Sequence, residues 1–177
     1  MKIISGKYKG KKINGFDLDG TRPTMDRVKE SLFAMIQMKI KNSKILDLFA
    51  GSGNLGLEAL SNGAKEVTFV DKNRKAIEIV QKNIKELKVT ENYQVITSDY
   101  LLFLKQNKQK YDFIFLDPPY ASDYIEKAIP IILNNHLLEK DGMIICEYEN
   151  KSLEFENLMI WKERKYGTKM ITIYKEK

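Results

Sequence analysis

The chain has 177 residues, of which 43% are hydrophobic and 31% are charged, and its formal net charge is +6. This length and composition predict one soluble globular domain, 1–177, and no apolar run approaches the roughly 18 residues that cross a membrane. The first residues lack the pattern of a signal peptide, and the single cysteine, Cys146, excludes an internal disulfide and argues against a cysteine-based metal site. We therefore expect a cytoplasmic protein without a metal site.

The positive charge is concentrated near the start of the chain. Residues 1–29 contain eight Lys or Arg and three Asp, a net charge of +5, so the remainder is close to neutral. Such an excess favours a polyanionic partner at this segment, and a solvated terminal arm is the alternative. The lysines are candidates for phosphate contact as a group, because such contacts are distributed: Lys7, Lys9, Lys11 and Lys12.

The predicted elements begin with a short β-hairpin and a helix. Ile3 and Ile13 flank a basic turn that contains two glycines, which is a hairpin pattern. Thr24 is expected to cap a helix that begins at Met25. We therefore divide the chain into a basic N-terminal arm, 1–23, and a catalytic core, 24–177.

Strands and helices then alternate along the chain. Apolar and β-branched runs predict strands at 44–49, 66–71, 93–97, 111–116 and 142–148. Four helices are predicted between these strands: one at 55–62, one that begins after an Asn73 cap, and one at 101–105. The fourth runs from a Ser122 or Asp123 cap to about 134. Pro130 lies inside the last helix and predicts a kink or an early end. This alternation is typical of a parallel sheet covered by helices.

The end of the chain has a different pattern. Two β-rich runs at 158–165 and 169–175 flank Tyr166-Gly167-Thr168, which predicts a hairpin and hence an antiparallel edge to the sheet. The predicted fold class is α/β: a Rossmann-like, mostly parallel seven-stranded sheet with an antiparallel C-terminal hairpin and a small N-terminal hairpin.

Acidic residues stand at the ends of four consecutive predicted strands: Asp47, Asp71, Asp99 and Asp117. Open α/β sheets bind ligands at this edge, and Asp47 opens the glycine-rich loop Asp47–Gly53. The loop also fits the dinucleotide pattern G-x-G-x-x-G, but a carboxylate beside it disfavours a pyrophosphate and suits a cation, such as the ammonium of S-adenosylmethionine. Asp71 is placed for ribose hydroxyls, and Ser98 and Asp99 for the adenine amine.

The motif Asp117-Pro118-Pro119-Tyr120 follows the fourth strand. Two prolines cannot extend a strand, because each lacks an N–H and has a fixed φ, so the backbone must leave the sheet stiffly. A carboxylate before this break and an aromatic ring after it would hold a planar, hydrogen-bonding substrate in its plane and against its face. Asp117 and the Pro118 carbonyl can accept the two N–H groups of an amine, and Tyr120 can stack on the base.

Together, the loop at 47–53 and the motif at 117–120 resemble class I S-adenosylmethionine-dependent methyltransferases that modify exocyclic amines. The blocks 3–13, 21–33 and 47–60 narrow the resemblance to the bacterial RsmD family, although the arm is lysine-rich where that family commonly has arginines. The resemblance implies methylation of guanine N2 in 16S ribosomal RNA. The sequence leaves open whether the substrate is naked RNA or an assembling small subunit, and the family suggests a protein-containing particle. It also implies RNA contact or a wall of the site for Arg22, Thr24 and Arg27. The implied cofactor residues are Asp47, Phe49, Ala50, Gly51, Ser52, Gly53, Asp71, Lys72, Ser98, Asp99 and Tyr100.

Three other functions stay open. A DNA adenine-N6 methyltransferase shares the Asp-Pro-Pro-Tyr chemistry, but such enzymes usually carry an added region that reads sequence, and no sizeable insertion is present. A nucleotide-dependent oxidoreductase would use the glycine pattern, against which Asp47 and the double proline count. A non-catalytic RNA-binding protein would retain only the fold.

Overall fold

The computed structural model describes residues 1–15 and 23–177. The helices are α1 (Pro23–Ile40), α2 (Asn54–Ser61), α3 (Arg74–Leu87), α4 (Tyr100–Gln106) and α5 (Tyr124–Asn134). The strands are β1 (Lys44–Asp47), β2 (Glu66–Asp71), β3 (Asn92–Thr97), β4 (Tyr111–Leu116), β5 (Leu138–Glu149), β6 (Leu158–Tyr166) and β7 (Lys169–Glu176).

The seven strands form one sheet in the order β3-β2-β1-β4-β5-β7-β6. Strands β1 to β5 are parallel, and β7 runs antiparallel to both β5 and β6, which confirms the predicted fold class. The last strand in sequence is therefore not the last in space, because β7 lies between β5 and β6. Burial accounts for this: Ile171 to Tyr174 are all buried, whereas most of β6 is exposed or half-buried.

The sheet has an apolar core on each face. Strand β4 shows why, because its side chains alternate: Phe113 and Phe115 belong to one core, whereas Ile114 and Leu116 belong to the other. The first core includes buried apolar residues of α1, α2 and α3, and the second includes those of α4 and α5. A central strand buried on both faces is expected in a doubly wound sheet.

The N-terminal arm reverses direction as predicted, but it forms a single antiparallel bridge, Lys2 with Lys12, rather than paired strands. Ile3 and Ile13 are buried, so both sides of the turn are attached to the first core. The end of the arm, including Arg22, lies outside the described residues, as does the side chain of Thr24.

The predicted cap at Thr24 was wrong, and the prediction at Pro130 was right only in part. Helix α1 begins at Pro23, so Thr24 lies in its first turn rather than before it; the fixed φ of proline suits the first helical position. Helix α5 continues to Asn134, which confirms its predicted end; the early end that Pro130 offered as an alternative does not occur. Pro130 is exposed, and the apolar side chains of Ile129 and Ile132 on either side of it are buried, so packing maintains the helix past the missing N–H.

Within residues 1–15 and 23–177, no helix has both the length and the apolar character needed to span a bilayer.

Candidate active site

A cavity of about 220 Å³ lies at the carboxyl ends of β1 and β4. These neighbouring strands are where the strand order reverses, and ligands of open α/β sheets bind at that point. Five predicted cofactor residues line the cavity together with Asp117: Asp47, Phe49, Ala50, Gly51 and Ser52. The structure therefore brings the glycine-rich loop and the start of the Asp-Pro-Pro-Tyr motif to one site.

The three glycines of the loop region have different surroundings. Gly51 has a φ of +55° and open space around the position of a Cβ, so a ligand can approach its backbone. Gly53, the N-cap of α2, has a φ of +83°. A Cβ on Gly56 would lie 2.3 Å from a ring carbon of Phe69, so this glycine permits α2 to pack on β2. The third glycine of the pattern is thus explained by helix packing.

Asp47 is a buried carboxylate, 2% exposed, that lines the cavity. Its Oδ2 accepts a hydrogen bond from the backbone N–H of Gly56 at 3.0 Å, while no hydrogen bond among the described residues engages Oδ1. Burial, only partly offset by that bond, raises the pKa of Asp47 to about 7, with a smaller contribution from the charge of Asp71. A buried acceptor in this state favours a cation or a hydrogen-bond donor in the cavity.

Of the remaining predicted cofactor residues, Gly53 directly precedes α2, and the others follow or end β2 and β3. Asp71 connects the two parts: its Oδ2 accepts from the Gly51 N–H at 2.9 Å, and its Oδ1 from the Asn73 N–H at 2.8 Å. Asp99 caps α4 by accepting from two backbone N–H groups, and the Ser98 hydroxyl donates to its carbonyl. These carboxylates therefore have structural contacts in addition to any contact with a ligand.

An aromatic cluster flanks this second part of the site. Phe49 packs against Tyr100, with ring centroids 5.1 Å apart, and stacks on Tyr124 at 5.7 Å with an angle of 9° between the rings. The Lys72 ammonium lies 5.7 Å from the centre of the Tyr124 ring. Tyr124 was missed by the sequence reasoning because it begins α5, far along the chain from the glycine loop.

Asp117 is half-buried and follows directly after β4. Among the described residues, no N–H or hydroxyl group donates to its carboxyl oxygens, and the carboxyl group of Glu147 lies within hydrogen-bonding reach. Burial, the neighbouring carboxylate of Glu147 and, to a lesser extent, Asp47 raise its pKa well above the ordinary range, and the ammonium of Lys169 opposes this. Pro118 is buried, while Pro119 and the Tyr120 ring are exposed, the latter by 47%.

Glu147 and Lys169 were not predicted, yet both line the cavity. Glu147 lies on β5 and Lys169 begins β7, and Glu147 Oε1 lies 2.8 Å from the Lys169 ammonium. The same Oε1 accepts from the Tyr120 hydroxyl at 2.9 Å. A signal was present in the sequence, since Glu147 is an acid inside the apolar run 142–148. Its partner could not be read from the sequence, because the strand order decides it.

A buried ion pair connects α1 to α2, the helix that follows the glycine-rich loop. The ammonium of Lys29, on α1, lies 3.1 Å from Glu58 Oε2, and both side chains are 1% exposed. Lys29 also donates to Asn54 Oδ1 at 2.8 Å, at the first residue of α2. Glu58 accepts from the backbone N–H groups of Ile4 and Ser5, which ties the arm to the same cluster. Burial lowers the pKa of Lys29, and the charge of Glu58 opposes this.

The predicted RNA-binding residues that the structure describes lie on the surface. The Lys7 ammonium pairs with Glu91 at 3.0 Å, so it is partly neutralised. Lys9, Lys11 and Lys12 are exposed, and none forms an ion pair within the described part of the chain. Arg27 is exposed on α1. The arm thus presents a lysine cluster, whereas Lys7 contributes less free charge than the sequence indicates.

The sheet order and the cavity at its switch point define a class I methyltransferase. The chain belongs to the family described as "Conserved hypothetical protein 95", whose model matches residues 1–175, and the predicted RsmD family membership is confirmed. It is 38% identical to "Ribosomal RNA small subunit methyltransferase D" of Haemophilus influenzae, over 98% of this chain and 93% of that protein. The protein of the same name from Escherichia coli is 37% identical over 84% of this chain and 75% of its own length.

Solved structures agree with this membership. The yhhF protein of Escherichia coli matches 100% of this chain and 98% of its own chain with a TM-score of 0.90 and 33% identity.

Among the described residues, no group of three or more His, Cys, Asp or Glu side chains is arranged to hold a metal ion.

Proposed function

We propose that this protein transfers a methyl group from S-adenosylmethionine to the exocyclic N2 amine of a guanine in small-subunit, 16S ribosomal RNA. The observation that carries the proposal is Asp117: a half-buried carboxylate without a hydrogen-bond donor among the described residues, in the same cavity as the glycine-rich loop. Relatives that bear the name of a small-subunit ribosomal RNA methyltransferase support the substrate class. The substrate is the RNA itself or the assembling subunit in the cytoplasm.

The chemistry of the cavity fits this cofactor. S-adenosylmethionine supplies an electrophilic methyl group on a sulfonium and carries no phosphate. Asp47 would accept from its ammonium, and the open backbone at Gly51 allows close approach. Asp71, Lys72, Ser98, Asp99 and the rings of Phe49 and Tyr100 would hold the adenosine. A dinucleotide fits less well, because the cavity is lined by Asp47, Asp117 and Glu147.

Asp117 would act on the acceptor amine. The lone pair of an exocyclic amine is delocalised into the ring, so the nitrogen is a weak nucleophile. A carboxylate that accepts one N–H, with the Pro118 carbonyl accepting the other, favours a pyramidal nitrogen with an available lone pair. As the nitrogen gains a fourth bond it becomes positively charged; the carboxylate stabilises that charge, and one proton then leaves the nitrogen. Tyr120 would hold the base by stacking on its face.

The arm would hold the RNA. Lys9, Lys11 and Lys12 carry exposed charge, and Arg22, Thr24 and Arg27 come where the arm joins α1. Contacts of this kind bind phosphates without reading sequence. The arm is tied to the loop region through Glu58 and Lys29, so RNA held by the arm would lie beside the cavity.

The test is transfer of a labelled methyl group to small ribosomal subunits, and to their RNA, from cells that lack this protein. We expect one methylated guanine, which mass spectrometry can assign to N2, and no transfer by Asp117→Asn. The matched control is Asp123→Asn, an exposed acid on the surface of the same region. The proposal is refuted if folded wild-type protein that binds the cofactor leaves both substrates unlabelled, or labels duplex DNA instead. Calorimetry with S-adenosylmethionine and NAD separates the methyltransferase from the oxidoreductase.

A further inference from the structure

Glu147 and Lys169 form a charged pair beside the acceptor position that the transfer of a methyl group does not itself require. The pair is mostly buried, with side chains 12% and 16% exposed, and both residues line the cavity with Asp117. Strands β5 and β7 are paired antiparallel, with Glu147 opposite Ile171 and Lys169 opposite Glu149. The pair is therefore held on two adjacent strands of the sheet rather than on a loop.

The hydrogen bonds of this cluster leave free acceptors. The Lys169 ammonium and the Tyr120 hydroxyl both contact Oε1 of Glu147, at 2.8 and 2.9 Å. Among the described residues, no N–H or hydroxyl group donates to Glu147 Oε2 or to either carboxyl oxygen of Asp117, and the two carboxyl groups lie within hydrogen-bonding reach of each other. Asp117 is therefore half-buried without an N–H or hydroxyl donor from the described residues. The site thus has two neighbouring carboxyl groups and one ammonium donor. Burial and the charge of Glu147 favour a proton on Asp117 in the free protein, so both carboxyls become acceptors when that proton leaves as the substrate binds.

The Watson–Crick edge of guanine has the complementary pattern. It presents the N2 amine and the N1–H as adjacent donors, followed by the O6 acceptor. Adenine presents its N6 amine next to an unprotonated N1, with a C–H in the third place. With the adenine amine at Asp117, the N1 lone pair would face a carboxylate, and the ammonium would find no acceptor. A buried polar group left without its partner strongly disfavours the wrong substrate.

We propose that Glu147 and Lys169 are specificity-determining residues that recognise N1–H and O6 of the acceptor guanine while Asp117 holds its N2 amine. This inference rests on the proposed function and deepens it. It accounts for a choice that the Asp-Pro-Pro-Tyr motif leaves open, since that motif serves the amine of either purine. Tyr120 has two roles here: its ring stacks on the base, and its hydroxyl orients Glu147.

The test uses reconstituted substrate in which the methylated position carries either guanine or 2,6-diaminopurine. The analogue keeps the N2 amine but has an unprotonated N1 and an amine in place of O6. We expect wild-type protein to prefer guanine by 100-fold or more in kcat/KM. Glu147→Gln, whose amide can donate to N1, should reduce this preference at least tenfold, and so should Lys169→Met. Cofactor affinity should change little. Lys169→Met should lower the melting temperature, because Glu147 loses its cation, so the preference is measured well below the unfolding transition of each variant.

Controls separate recognition from structure. Glu149→Gln, two residues further along β5, and Lys175→Met, at the other end of β7, should leave the preference unchanged. If wild-type protein methylates guanine and diaminopurine equally well, the inference is overturned without any variant. A variant that loses activity on both bases in equal proportion also overturns it, because the pair is then only structural. If wild-type protein methylates neither guanine nor diaminopurine, the proposed function itself is refuted, and the inference that rests on it is refuted as well.

Discussion

The buried carboxylate of Asp47 should make the stability of the protein depend on pH in a way that one substitution removes. Its pKa is raised to about 7 in the folded chain, against an ordinary value of 3.8, chiefly by burial. Between these two values the folded chain retains the proton and the unfolded chain does not. The contribution of Asp47 to stability is therefore full below pH 3.8 and is lost as the pH rises through about 7.

The size of the effect follows from the displacement of the pKa. About three pH units correspond to roughly 4 kcal/mol, of which about 2–3 kcal/mol is lost between pH 5 and pH 7. Asp47→Asn removes the titration, while its side-chain oxygen can still accept from the Gly56 N–H. Between pH 5 and pH 7, we expect the free energy of unfolding of the wild type to fall by about 2–3 kcal/mol more than that of the variant.

Urea denaturation followed by circular dichroism at pH 5, 6, 7 and 8 measures this difference. Asp123→Asn is the control, because Lys127 lowers the pKa of that exposed carboxyl below the window. Saturating S-adenosylmethionine should flatten the wild-type profile, since a bound cation stabilises the ionised form. Parallel profiles for the wild type and Asp47→Asn would show that the carboxyl is already ionised across this range, which would refute the reasoning that burial keeps it protonated in the free protein.

Three further substitutions test the packing that supports the site, each by denaturant unfolding. Lys29→Met leaves the buried Glu58 without its cation and should cost about 3–5 kcal/mol; adding Glu58→Gln should recover part of it, and strict additivity would contradict the coupling. Gly56→Ala should cost about 1–3 kcal/mol, because the new methyl would lie 2.3 Å from the Phe69 ring; an unchanged midpoint would show that α2 shifts freely. Asn73→Ala should cost about 1 kcal/mol through the lost cap of α3, whereas Asn73→Ser should retain most of it.

Local patterns predicted most of the elements. The stripe of Ile77, Val80, Ile84 and Leu87 has helical spacing, and all four are buried on α3. The alternation of strands and helices predicted the parallel sheet, and the turn at 166–168 predicted the final hairpin. Packing overrides local preference at Pro130, because α5 continues past it. The order of the last two strands, in which β7 rather than β6 pairs with β5, was not predicted from the sequence.

By itself, the sequence determined which edge of the sheet would carry the site, because residues that end neighbouring parallel strands meet at one edge whatever the details of packing. Asp47 and Asp117 were predicted in this way, and they line the same cavity. Only the tertiary structure decided which residues complete the site. Glu147 and Lys169 come together because β7 inserts beside β5, and Lys29 meets Glu58 because α1 packs near α2. Such contacts depend on strand order and helix packing, and these are decided by how the whole chain buries its apolar residues. The periodicity of a sequence carries information only about residues that are close along the chain.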